Sequence, residues 1–194
     1  MKSTPKILII CGHPDKKSYC GSLAKAYASG AKSSGANVKV VNLGELKFDP
    51  ILWEGYKKIQ KLEPDLIKIQ DKIKWANHLV FVYPIWWLGM PAIMKGLFDR
   101  AFLPSFAFKY HENGLIWDKL LKGRSARIIV TMDSPLIVHI LLMKLLSIRV
   151  LKKNLSFFGV GPIRSTMIGS MKFLNKQKLN KRLNQVNILG KRMR

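Results

Sequence analysis

The sequence predicts an α/β protein, a parallel sheet covered by helices on both faces. Three observations carry this. Short apolar runs alternate with longer segments of helical period along the whole chain, the pattern of a doubly wound sheet. The run Leu79-Val80-Phe81-Val82-Tyr83 has no polar alternation, as expected of a strand buried on both faces. Immediately after it comes Pro84-Ile85-Trp86-Trp87-Leu88-Gly89-Met90-Pro91, a wide aromatic loop ahead of a helix. Open α/β sheets hold flat ligands at that place, beyond the carboxyl ends of the strands.

The elements follow in order. Residues 7–11 form a first strand, and the alanine-rich residues 22–34 a helix closed by Gly35. Residues 38–42 give a second strand. Residues 57–76 place Ile59, Leu62, Leu66, Ile69, Ile73 and Ala76 near a helical period, with Pro64 a break or a helix start. The third strand covers 79–83 and is ended by Pro84. Pro91 opens a helix over 91–102, where its fixed φ and missing N–H do least harm. Residues 126–132 supply a fourth strand. The fifth is either Phe157-Phe158-Gly159 or residues 163–168. A last helix spans 175–189, with Leu179, Leu183 and Val186 on one face. Residues 136–146 are nearly all apolar, interrupted by His139 and Lys144, and are too short for a bilayer span of about 20 residues. They read as a buried helix or a subunit interface, or else as the apolar lip of a pocket or a membrane-surface contact.

Bulk properties narrow the class. A length of 194 residues, 48% of them hydrophobic, suits one domain over 1–194 with one large core. Cys11 and Cys20 are the only cysteines, so no disulfide scaffold is expected and a reducing cytoplasm fits. The N-terminus carries a positive flank, but the apolar run after it is too short for a signal sequence. Lysine and arginine number 34 against 11 acids, a net charge of +23 that attracts phosphates, anionic lipid and nucleic acid. The charge is spread broadly and is densest at Lys172, Lys176, Lys178, Lys181, Arg182, Lys191, Arg192 and Arg194. No RNP-type or zinc-finger pattern accompanies it, so no specific nucleic-acid partner is expected.

Three loops carry the candidate chemistry. Residues 12–22 join the first strand to the first helix. The free N–H groups of a helix N-terminus suit a phosphate; Ser18 and Ser22 offer hydroxyls, and His13 or Lys17 charge. The loop is neither GxGxxG nor GxxxxGK[ST], so neither a Rossmann nor a P-loop site is indicated. In the aromatic loop, Trp86 and Trp87 can stack on or edge a ring, or simply plug a core. Backbone N–H groups from Ile85 to Leu88 can bond ring heteroatoms, and Gly89 permits a close approach. At the end of the fourth strand, Thr131, Met132, Asp133 and Ser134 meet the same sheet edge, with Asp133 alternatively a turn residue before Pro135. The histidines His13, His78, His111 and His139 show no HExxH spacing, and CxxC and GxSxG are absent. A chain without a nucleophile or metal set often takes its reactivity from a cofactor.

These segments resemble the flavodoxin-like NAD(P)H:quinone oxidoreductases, including the modulator-of-drug-activity and potassium-efflux ancillary types. The likeness rests on residues 7–14, on 83–100 above all, on 131–135, and on Phe157-Phe158-Gly159 as an aromatic-glycine strand. The resemblance implies a flavodoxin-like five-stranded parallel sheet, order 2-1-3-4-5, in three layers. It implies a flavin, FMN or FAD, with His13, Ser18, Tyr19 and Cys20 around its phosphates. Pro84, Ile85, Trp86, Trp87 and Leu88 would hold the isoalloxazine mostly through backbone, and Thr131, Met132 and Asp133 would close its other side. Trp86 stands where relatives carry Gln, and Cys20 where some carry Asn. The implied activity is two-electron, ping-pong reduction of quinones or related acceptors by NAD(P)H in a homodimer, with Tyr110 and His111 as candidates to assist proton transfer. The alternative is an ancillary subunit that docks on a membrane transporter.

Overall fold

The computed structural model describes residues 4–112 and 115–193. Residues 1–3 of the positive N-terminal flank, and Arg194 of the C-terminal basic stretch, lie outside the described residues. Five strands form the main sheet: β1 (Lys6–Cys11), β2 (Asn37–Asn42), β3 (His78–Pro84), β6 (Ser125–Thr131) and β7 (Ile163–Ile168). All pair in parallel, in the order β2-β1-β3-β6-β7, which is the predicted 2-1-3-4-5 succession. A two-stranded antiparallel ribbon, β4 (Phe108–Tyr110) with β5 (Trp117–Lys119), branches off. Each of its strands has three residues, too short to leave a period in the sequence.

Helices cover both faces. On one side lie α1 (Tyr19–Ser33) and α6 (Lys176–Lys191), packed over Ile7, Ile9, Cys11, Val80 and Val82. On the other lie α2 (Pro64–Trp75), α3 (Ala92–Ala101) and α5 (Leu146–Phe157), over Leu8, Ile10, Phe81 and Ile128. All seven residues of β3 are buried, which is why its sequence shows no alternation. Glycines set the α1–α6 contact: a Cβ on Gly30 would lie 1.9 Å from the Asn187 carbonyl oxygen, and one on Gly190 2.2 Å from that of Tyr27. No larger residue fits at either point without separating the helices.

Several expectations need correction. The first helix begins at Tyr19, not residue 22, because Ser18 caps it: its Oγ accepts from the Gly21 N–H at 3.2 Å. Residues 57–63 are not helical. Pro64 starts α2, and Ile59, counted in its apolar face, is 99% exposed. The fifth strand is Ile163–Ile168; Phe157 and Phe158 instead end and cap α5, where they join a ring cluster with Phe102, Phe108 and Trp117. The aromatic-glycine strand expected there does not form. Residues 136–146 are not one buried helix. They form the short α4 (Leu136–Leu141) and a turn into α5, with Ile137, Leu141, Leu142 and Leu146 exposed in the single chain.

Arg100 explains how the irregular segment before α2 is held. It is 1% exposed and donates to the carbonyls of Asp49 and Lys61 and to the Glu63 carboxylate at 2.9 Å. Burial works against the ionised Glu63, but the Asp49 N–H and the Arg100 guanidinium outweigh it and hold its pKa below the usual value. Gly96 lets α3 close on Pro50, whose Cα would sit 2.6 Å from an added Cβ.

Candidate functional site

The carboxyl ends of β1, β3 and β6 open onto one cavity of about 190 Å³. His13, Ser18, Tyr19 and Cys20 line it from the first loop; Pro84, Ile85 and Trp86 from the second; Thr131, Met132 and Asp133 from the third. Three segments far apart in sequence therefore meet because their strands are neighbours in the sheet.

The first loop is fixed from below. A Cβ on Gly44 would lie 1.6 Å from the Pro14 carbonyl oxygen, and one on Gly21 2.1 Å from that of Lys16, so both contacts require glycine. Lys16 pairs with Glu45, and the Asp15 and Lys17 N–H groups bond His13 Nδ1 and Asp15 Oδ1 at 2.9 and 2.8 Å. Once Ser18 has capped Gly21, the N–H groups of Tyr19 and Cys20 are first-turn donors with no partner among the described residues. They end at the cavity with the positive end of the α1 dipole, an arrangement that binds anions. Ser22 and Lys17, offered by the sequence as further donors, do not line it. The Ser22 hydroxyl turns back to the Ser18 carbonyl at 3.4 Å.

Cys20 is 2% exposed, and its Sγ lies 3.3 Å from Thr131 Oγ1. Burial pushes its pKa up to about 12, so the thiol is neutral and sets no negative charge against a bound phosphate. The contact ties the first loop to the third. Tyr19 donates its hydroxyl to the Leu179 carbonyl at 2.8 Å and so anchors α6 to the same loop.

In the second loop the backbone differs from expectation. The Ile85 N–H donates to the Thr131 carbonyl at 2.8 Å, and the Trp86 N–H to that of Gly89 at 3.0 Å. Neither is available to a ring. Gly89 returns its N–H to the Trp86 carbonyl at 2.9 Å, closing a four-residue turn. Its two central residues, Trp87 and Leu88, have φ of 48° and 60°, the type I′ pattern. The left-handed backbone thus falls on two large side chains, while an added Cβ on Gly89 would meet nothing nearer than 3.7 Å. The close approach ascribed to Gly89 is not needed. The N–H groups of Trp87 and Leu88 have no partner among the described residues. Both residues stand at the rim outside the cavity, with Trp87 fully exposed. Trp86 faces inward, edge-on to His13 with ring centroids 5.4 Å apart.

In the third loop Asp133 is exposed and lies 3.2 Å from Lys172 Nζ. Met171 completes the wall, its N–H bonded to the Met132 carbonyl at 3.1 Å. Its position follows from β7 running beside β6, a tertiary relation with no local sequence signal. Tyr110 and His111 are not part of this cavity. They line a separate surface hollow on the ribbon, where His111 Nε2 is 3.3 Å from Asp118.

The arrangement offers two free helix N–H groups and the Ser18 hydroxyl to a phosphate, and a wall of Ile85, Trp86 and Met132 to an apolar ring. These fit the phosphate and ring edge of a flavin.

The chain is 31% identical over 131 residues to NAD(P)H dehydrogenase [quinone] 1 of Cavia porcellus, matching 57% of this chain and 47% of that protein. It is 34% identical to a protein named NAD(P)H oxidoreductase, itself uncharacterised, of Haemophilus influenzae, over 66% of this chain and 64% of that one. The chain thus spans about half to two thirds of the length of these relatives. A crystal structure from Streptococcus mutans superposes with a TM-score of 0.81 at 29% identity, covering 96% of this chain and 98% of the other. That of an NAD(P)H:quinone oxidoreductase from Methanothermobacter marburgensis superposes at 0.83 and 21% identity, over 99% and 100%, and shares the fold. Residues 5–187 match the family described as the flavodoxin-like fold, to which this chain belongs.

Proposed function

We propose that the chain is a flavin-dependent oxidoreductase that transfers two electrons from NAD(P)H to quinones or related acceptors. The observation that carries this reading is the convergence of the three loops on one cavity, lined by both the α1 N-terminus and Trp86. The relatives' names, quinone dehydrogenase and NAD(P)H oxidoreductase, favour it over the ancillary-subunit alternative.

The chemistry a bound flavin supplies is two-electron transfer between NAD(P)H and the acceptor. The chain's residues place and polarise. Tyr19 and Cys20 N–H groups and Ser18 Oγ hold the phosphate. Pro84, Ile85, Trp86, Thr131 and Met132 flank the ring, and Asp133 stands at the mouth, neutralised by Lys172. The N–H groups of Trp87 and Leu88, without a partner among the described residues, would be the donors of this loop to the edge of a bound ring, the role of oxyanion-hole donors. Tyr110 and His111 act only if a second chain brings its ribbon to the cavity.

The cavity also supports a homodimer. About 190 Å³ is below the roughly 300–1,000 Å³ that encloses a drug-sized ligand, so one chain supplies only part of the enclosure. We place this enzyme, one domain over 1–194, in the cytoplasm, where its two buried thiols stay reduced.

Titration of the purified protein with FMN and with FAD, followed by quenching of tryptophan fluorescence, tests the cofactor. NADPH oxidation with menadione tests the reaction. Quenching by either flavin and menadione-dependent turnover are expected. A protein that binds neither flavin ends the proposal.

A further inference from the structure

A cluster of polar and cationic groups lies at the opposite end of the sheet from the three loops. The sheet face under α1 and α6 is apolar at Ile7, Ile9, Val80, Val82, Ile129 and Ile168. Its amino end instead carries His78, Ser125, Arg127, Arg164 and Thr166. His78 opens β3, about 20 Å from Pro84 at its close. Polar groups on such a face cost free energy unless they are paired. The Tyr27 hydroxyl lies 3.1 Å from His78 Nε2, and Ser125 Oγ 2.8 Å from His78 Nδ1. Arg127 is 5% exposed, bonds the Tyr27 hydroxyl and donates to Thr166 Oγ1. Its register partner across β6 and β7 is Arg164, so two guanidiniums start from adjacent positions and repel. Arg164 is exposed and stands on the edge strand.

Arg164, Ser125 and His78 line a cavity of about 120 Å³, bounded by Pro162 and Met193. One water needs roughly 10–15 Å³ of such space, so a group of several heavy atoms has room. Lys6, Lys74, Lys122 and Arg124 line a second hollow at the same edge, and none of the chain's eleven acids lines either one. The carbonyl end of α6, beside Met193, is offset by Lys191 and Arg192.

We propose that this cavity binds a tetrahedral oxyanion, either inorganic phosphate or the phosphate of a small monoester. Arg164 meets the anion with its two-pronged donor edge. Arg127 does not touch it and acts through its field and through Tyr27. Tyr27 faces a guanidinium that can only donate, so it gives its own proton to His78 Nε2. His78 then donates from Nδ1 to Ser125 Oγ, and Ser125 turns its proton into the cavity. A bound anion relieves the repulsion between the arginines. It also acts on His78, whose pKa burial, then Arg127 and Arg164, hold down at about 4.

Thermal unfolding at pH 7 in sodium phosphate, against sodium chloride of equal ionic strength, tests the proposal on the parent, Arg164→Gln and Arg164→Lys. At ten times its dissociation constant, phosphate should raise the Tm of the parent by about 3–6 °C more than that of Arg164→Gln. General salt effects, and any phosphate at the α1 N-terminus, act on both proteins and cancel in that difference. Arg164→Lys keeps the charge without the fork and retains part of the rise. The imidazole resonances of His78 should move saturably over the same range in nuclear magnetic resonance, and its pKa should rise by about 1–3. Glycerol phosphate distinguishes the sources: tighter binding of the monoester assigns a phosphorylated small molecule, and tighter binding of inorganic phosphate the free ion. An equal rise in the parent and Arg164→Gln, or His78 resonances that stay in place, overturns the proposal. The readout needs neither flavin nor NAD(P)H, so this site and the oxidoreductase reading fail separately.

Discussion

Trp87→Gly should raise the stability of the flavin-free protein while lowering its affinity for flavin. Trp87 occupies φ 48° and is fully exposed, so its indole gains nothing from burial that would offset the strained backbone. A left-handed conformation costs an L-residue about 1–2 kcal/mol, and glycine escapes that cost. The greater freedom of glycine in the unfolded chain takes back about 0.5–1 kcal/mol. A net gain of about 0.5–1 kcal/mol remains, which for a chain of this length raises Tm by about 2 °C. Urea unfolding without flavin, at one protein concentration, measures it. Glycine also loosens the turn that holds the Trp87 and Leu88 N–H groups, at about 0.5–1 kcal/mol of backbone entropy, so flavin affinity should fall about two- to fivefold in the fluorescence titration. This is the pattern expected where strain is kept for function. A variant less stable than the parent would show that the turn is not strained, and unchanged flavin affinity would show that Trp87 does not serve the site.

Gly44→Ala should destabilise by about 1–3 kcal/mol and also weaken FMN binding, since its Cβ would push the Pro14 carbonyl and with it the His13 loop; fluorescence titration and urea unfolding check both. Tyr83→Phe should stabilise by about 1–2 kcal/mol in thermal unfolding, because the Tyr83 hydroxyl is buried with no hydrogen-bond partner among the described residues. His78 is 7% exposed, and burial first, then Arg127 and Arg164, depress its pKa to about 4. The unfolded chain therefore binds its proton near pH 6.5 and the folded chain only near pH 4, so stability is full above pH 6.5 and falls by about 3 kcal/mol toward pH 4. His78→Gln should flatten most of that slope in unfolding curves between pH 7 and pH 4.5, with His139, depressed by burial as well, leaving a smaller remainder. An unchanged slope would exclude His78 as its source.

Much of the site was legible because its signals are local. The apolar strand before Pro84 and Thr131 at the close of a β-branched run each mark a strand end. What was misjudged depended on partners far away. The N–H groups of Ile85 and Trp86 are spent on Thr131 and Gly89, which no spacing rule reveals. Phe157 and Phe158 have strand-like composition, yet their rings complete a cluster with Phe102 and Phe108, so tertiary packing overrides propensity.

The sequence by itself determined the parallel sheet and the three loops at its carboxyl edge, since periodicity and capping act within a few residues. It also determined the basic character of the chain. Only the tertiary structure decided that Trp87 and Leu88 stand at the rim, that Met171 closes the wall, and that the leucines near residue 141 face outward. Those outcomes depend on which strand lies beside which and on the hydrogen bonds already used between them, and neighbours of that kind are set by the whole fold.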